Sequence, residues 1–188
     1  MNWCRLVMLK TALKIALATI AAAPLAGLAT KADASEREKV FFQSVEGSWS
    51  GPGEIVAGKY KGTKFVCNFD GDTPQGGVGM ALDGNCRVGV FTQPMKASVV
   101  RGKGGFKGTF LDGAAGKGLD VTSGKVIGND VIFALNRSSL SGAMRARITG
   151  RDTMQITISV KVEEEMVPVI GMKLKRVDTG AVGAIARD

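Results

Sequence analysis

Residues 35–188 hold few groups that invite a chemical reading: the cysteines Cys67 and Cys86, the single tryptophan Trp49, and a glycine-rich basic stretch at 101–118. The chain contains no histidine. Its absence removes Ser–His and Cys–His nucleophile pairs and the usual zinc and haem ligand sets. Two cysteines without histidine make a poor tetrahedral metal site. An even cysteine pair in an exported chain suggests a disulfide, the alternative being two buried free thiols. A bridge would leave no thiolate for catalysis. It would close a loop of about 20 residues and contribute roughly 3 kcal/mol in the chain-entropy account.

Paired carboxylates would be the remaining route to hydrolysis, as in glycosidases. Asp70, Asp72, Asp83, Asp112, Asp120 and Asp130 stand mostly beside Gly or Asn, where turn chemistry explains them better. Glu163, Glu164 and Glu165 follow an apolar run and read as a solvated loop. The expectation is a protein with no catalytic residues, no metal and no cofactor. The glycine-rich stretch fails as a phosphate loop: Gly116-Lys117 is followed by Gly118, and Leu111 stands where the first glycine belongs. A dinucleotide fingerprint fails too, since Lys107 lies five residues after Gly102. The cluster Arg101, Lys103 and Lys107 is a candidate contact for an anionic surface.

The chain has 188 residues, 25 basic and 17 acidic, for a net charge of +8. Residues 1–34 read as a secretory signal: Arg5, Lys10 and Lys14 precede an apolar run at 15–29, and Ala32-Asp33-Ala34 supplies the small-residue cleavage pattern. Cleavage after Ala34 leaves one domain with a net charge of +5 and predicts a periplasmic or secreted protein that does not span the membrane. The charges are spread along the chain, which reads as a moderately basic exported protein. Affinity for lipid headgroups or acidic polysaccharide is the sharper alternative. Nucleic-acid binding is not expected, because Trp49 and Tyr60 are the only Trp and Tyr beyond the signal.

The elements that must position these residues are short. Residues 35–46 form a helical lead, with Ser35 and Glu38 at capping-box spacing and Phe41, Phe42 and Val45 on one face. Residues 47–178 then alternate between apolar runs and Gly, Asn or Asp, the all-β pattern. Strands are predicted at 48–57, 63–71, 77–84, 86–92, 96–102, 105–113, 118–128, 130–137, 142–150, 153–163 and 169–177. Turns are expected at Asp83–Gly84, at 128–130 and at 150–153. At 153–162, Met154, Ile156, Ile158, Val160 and Val162 share one face, with Gln155, Thr157, Ser159 and Lys161 on the other. Residues 179–188 read as a loose tail. Such a meander closes most economically into a barrel of about 8–10 strands, which removes its edges. A β-sandwich is the alternative. The inward residues are mid-sized, which suggests a filled interior.

Gly47-Ser48-Trp49 on the first strand resembles the G-x-W motif of calycin-type barrels: lipocalins, avidin-like proteins and small bacterial protease inhibitors of the Inh type. The resemblance implies that Trp49 plugs one end of the barrel, with Arg176 or Lys175 of the last strand packed on its ring. Gly47, Gly51 and Gly53 suit a strand that bends or admits another backbone closely. The wider pattern, G-x-W-x-G-x-G followed by a cysteine pair, is similar to a group of small exported alphaproteobacterial proteins. A further tryptophan after the second cysteine, part of the inhibitor pattern, is missing here. These features point to a non-enzymatic envelope protein that binds a small apolar or envelope-derived ligand. A protease inhibitor is the alternative.

Overall fold

The computed structural model describes residues 30–75, 77–111 and 119–177. One helix, α1 (Thr30–Gln43), precedes ten strands: β1 (Gly47–Ile55), β2 (Lys64–Asp72), β3 (Gly79–Val88), β4 (Phe91–Gly102), β5 (Gly105–Leu111), β6 (Leu119–Ile127), β7 (Asp130–Arg137), β8 (Leu140–Thr149), β9 (Thr153–Val162) and β10 (Glu165–Arg176). Each strand pairs antiparallel with the next, and β10 pairs with β1, so the meander closes into a barrel rather than a sandwich. Each strand has a paired neighbour on both sides, the shortest seam being Gly108–Phe110 of β5 with Leu119–Val121 of β6.

The structure differs from the expected elements in two places. The helix runs from Thr30 to Gln43 rather than over 35–46. Alanine at 32 and 34 has high intrinsic helix propensity, consistent with a helix that starts before Ser35. Ser35 is therefore exposed inside the helix and not its cap, while Glu38 is buried and pairs with Arg101 on β4. Asp83–Gly84 is not a turn but the middle of β3, where Phe69 faces Gly84 and Asp70 faces Asp83. A Cβ at Gly84 would collide with the Asn68 carbonyl oxygen, so this glycine permits close strand packing. The chain turns instead at Gly89–Val90, with Gly89 at φ 57°, and the predicted eleven strands become ten. The signal segment before Thr30, Asp112, and the tail at 179–188 lie outside the described residues.

The two ends of the barrel differ. The β2–β3, β4–β5, β6–β7 and β8–β9 connections share one end with α1. There Phe42 packs on Phe106 with ring centroids 5.4 Å apart, and Phe106 on Phe133 at 5.8 Å. Phe41, Phe42 and Val45 are all buried, so α1 is the lid of this closed end. The opposite end, the mouth, carries the β1–β2, β3–β4, β7–β8 and β9–β10 hairpins. Burial along β9 follows this axis: Met154 and Ile156 are buried, Ile158 and Val160 partly so. Val162, expected on the packed face, stands exposed at the rim.

On the outer wall, Arg145 and Arg147 of β8 converge on Asp130 of β7 at 2.7 Å and 3.0 Å. Hydrogen bonds from the two guanidinium groups hold the Asp130 carboxyl below the usual carboxylate range. A depressed folded-state pKa contributes stability above the unfolded value of about 3.9, and that contribution disappears as pH falls through the folded one. The melting temperature is therefore expected to drop below about pH 4, and Asp130→Asn to flatten that part of the profile. A variant with the parent's acid dependence would contradict this assignment.

Candidate functional site

The closed end is fastened where α1 runs into β1. Trp49 is almost wholly buried, and its indole N–H donates to the Val45 carbonyl oxygen at 2.8 Å. Trp49 and Arg176 face each other across the β1–β10 pairing, and the Arg176 guanidinium carbon lies 4.3 Å from the indole centroid. The same guanidinium donates to the carbonyl oxygens of Ser44 at 2.9 Å and of Glu46, and through Nε to Arg151 at 3.0 Å. Carbonyls following the last helical turn lack intrahelical partners and carry the negative end of the helix dipole. Trp49 and Arg176 together supply the donors and the positive charge at that point. Gly47 sits beside them at φ 100°, and a Cβ there would lie 2.7 Å from an Arg176 nitrogen. Lys175 points elsewhere, donating to Thr153 Oγ1 at 2.7 Å.

The cysteines face each other across β2 and β3 and form a disulfide, with Cα atoms 4.0 Å apart. Cys67 is fully buried, its sulfur 3.9 Å from that of Met172. The bridge therefore ties β2 to β3 on the inner side of the wall, close to the mouth.

Above the lid the interior is not filled. A cavity of about 290 Å³ runs from Phe41 and Val45 at the floor to Leu140, Val160 and Val169 near the mouth. Its walls are Met, Ile, Val, Leu, Phe and Ala, with Lys96 and Arg137 the charged residues that line it among the described ones. Lys96 is turned to an exposed pair with Asp83. The mid-sized inward residues that suggested a filled core would fill eight strands. Ten strands enclose a wider lumen, and Ala97 and Ala146 leave it open. The volume lies near the lower limit of ligand pockets, about 300 Å³, and is roughly twice that of an engineered apolar cavity that binds benzene.

Arg101, Lys103 and Lys107 come together on the β4–β5 hairpin at the closed end. Arg101 is committed to Glu38 and lies 5.0 Å from the Phe106 centroid, so it holds the lid. Lys107 donates to the Thr122 carbonyl oxygen at 2.9 Å, and Lys103 is exposed in the turn. Among the described residues, no three of His, Cys, Asp and Glu gather as a metal site would require. Sequence reasoning missed the lid role of α1. The signal was present in the adjacent Phe41-Phe42 pair, which a helix merely leading into a strand would not bury.

No protein-family model matches this chain, and no curated protein does. Among solved structures, it is similar to Rv2717c from M. tuberculosis, with 10% identity and a TM-score of 0.44, over 74% of this chain and 97% of that one.

Proposed function

We propose that this protein is a non-enzymatic, exported β-barrel that holds a small apolar molecule in its lumen. The observation that carries the reading is the cavity of about 290 Å³, walled mainly by aliphatic and aromatic side chains between a closed floor and a hairpin mouth. Apolar space of this kind favours an aromatic ring or a short alkyl chain, which gains burial without an unpaired polar group. The disulfide supports an oxidising compartment. The alternative, a protease inhibitor whose N-terminal segment enters a cleft, is weakened by α1: Phe41, Phe42 and Val45 of that segment are seated on the barrel.

The test uses N-phenyl-1-naphthylamine, an uncharged apolar probe whose emission rises in dry surroundings. The parent protein is expected to bind it saturably. Ala97→Phe and Ala146→Phe, which fill the lumen from two walls, are expected to weaken binding at least about tenfold when combined, with the fold kept. Equal binding by the filled variant would place the probe outside the lumen and end this reading.

A further inference from the structure

The mouth carries a surface that the lumen does not explain. The β1–β2 connection runs through residues 56–63, and β3 turns into β4 at Gly89–Val90. Because β2 lies beside β3, the two tips are neighbours on the rim. Hairpin tips are usually polar, yet Val90 is 89% exposed, Phe91 78% and Tyr60 63%. Val56, Val66 and Val88 extend the apolar surface. Exposed apolar side chains gathered on neighbouring hairpin tips mark an interaction site. The cations Lys59, Lys61, Lys64 and Arg87 are exposed around it, and residues 56–66 and 85–95 contain no Asp or Glu. The Lys59 ammonium lies 5.5 Å from the Tyr60 centroid, so the two share one tip. Elsewhere on the rim the sign reverses, with Glu163, Glu164 and Glu165 at the β9–β10 hairpin.

We propose that the β1–β2 and β3–β4 tips dock on an anionic lipid surface. Phe91, Val90 and Tyr60 enter the boundary between headgroups and acyl chains, and the surrounding cations pair with headgroup phosphates. Apolar side chains backed by Lys and Arg on one face are what interfacial binding requires. Tyrosine suits the headgroup level, where its ring is buried and its hydroxyl stays wet. The acidic β9–β10 hairpin tilts the barrel by repulsion, so that the β2–β3 side meets the lipid. The Cys67–Cys86 bridge joins β2 to β3, the strands that carry the two tips. Met95, a lumen wall residue, lies four positions along β4 from Phe91, so the docked surface is continuous with the mouth. This inference concerns the rim alone and stands whether or not the lumen binds its molecule.

Full-chain protein carrying Phe91→Trp reports the event directly. Its emission, after subtraction of the parent's, is expected to shift to the blue with phosphatidylcholine vesicles containing phosphatidylglycerol, and to be quenched by brominated acyl chains. Subtraction removes the emission of Trp3 and Trp49, so the remaining signal reports the surroundings of residue 91, whichever segment brings the chain to the vesicle. Vesicles of phosphatidylcholine alone are expected to give a much smaller shift. Lys59→Gln with Lys61→Gln in the same background is expected to weaken partitioning roughly 30-fold. If the introduced indole keeps its solution emission with anionic vesicles, the tips do not meet lipid and the proposal fails. That result is also expected if the patch serves a protein partner. A blue shift of equal size on uncharged vesicles would overturn the role assigned to the cations.

Discussion

Trp49→Ala is expected to lower the unfolding free energy by about 3–5 kcal/mol, as full truncation of a buried large aromatic does. Three losses coincide at this site. The ring is 1% exposed, so its removal leaves a void at the closed end. The indole N–H no longer satisfies the Val45 carbonyl oxygen. The Arg176 guanidinium loses the aromatic face that lies 4.3 Å away. The effect reaches the lumen, since Val45 forms part of its floor. Trp49→Phe keeps most of the ring but not the donor, and should fall between the parent and the alanine variant. Urea unfolding checks both: the midpoint should move with little change in slope. If the alanine variant unfolds within about 1 kcal/mol of the parent, Trp49 does not hold the lid.

The second large effect belongs to the disulfide. Cys67→Ala with Cys86→Ala is expected to cost about 3 kcal/mol, because the open chain regains the entropy of a loop of about 20 residues. The bridge spans a separation of 19 residues, and both strands it joins are already paired in register. Its contribution should therefore arise mainly in the unfolded chain. A reductant separates this from the packing loss at the buried Cys67 site. It should lower the parent's melting temperature toward that of the double variant and leave the variant unmoved. A parent insensitive to reductant after full reduction would show that the bridge adds nothing to stability.

Much of the barrel was legible because a strand writes its two faces into every second residue. At 153–162 the alternation of Met154 and Ile156 with Gln155 and Thr157 shows which residues face inward. Closure followed from the number of short runs and the need to remove edges. Turns were less legible, because glycine serves two purposes. Gly128 lies in a turn at φ 58°, whereas Gly84, followed by an asparagine in the same way, lies mid-strand under the Asn68 carbonyl. Nothing local separates these, since the neighbour that excludes a side chain at Gly84 comes from a different strand.

The candidate site was less legible still. Glu38 at capping-box spacing suggested a helix start, and its actual partner, Arg101, is 63 residues away. The same long-range pairing takes Arg101 out of a free basic cluster. The lumen could not be read from its walls. Val, Ile and Met fill eight strands and leave space in ten, and only ring closure shows how many strands surround the lumen.

By itself, then, the sequence determined the all-β class and the inner faces of its clearest strands, the lack of histidine, and a cysteine pair suited to an oxidising compartment. These follow from residue type and from a period of two, which need no knowledge of distant neighbours. Only the tertiary structure decided that α1 closes one end, that Trp49 and Arg176 complete the helix terminus, that a cavity lies above them, and that apolar and basic hairpin tips share one rim. Each of these joins residues far apart in the chain. Ring closure, which brings β10 against β1, sets the width of the lumen and the order of the hairpins around its mouth.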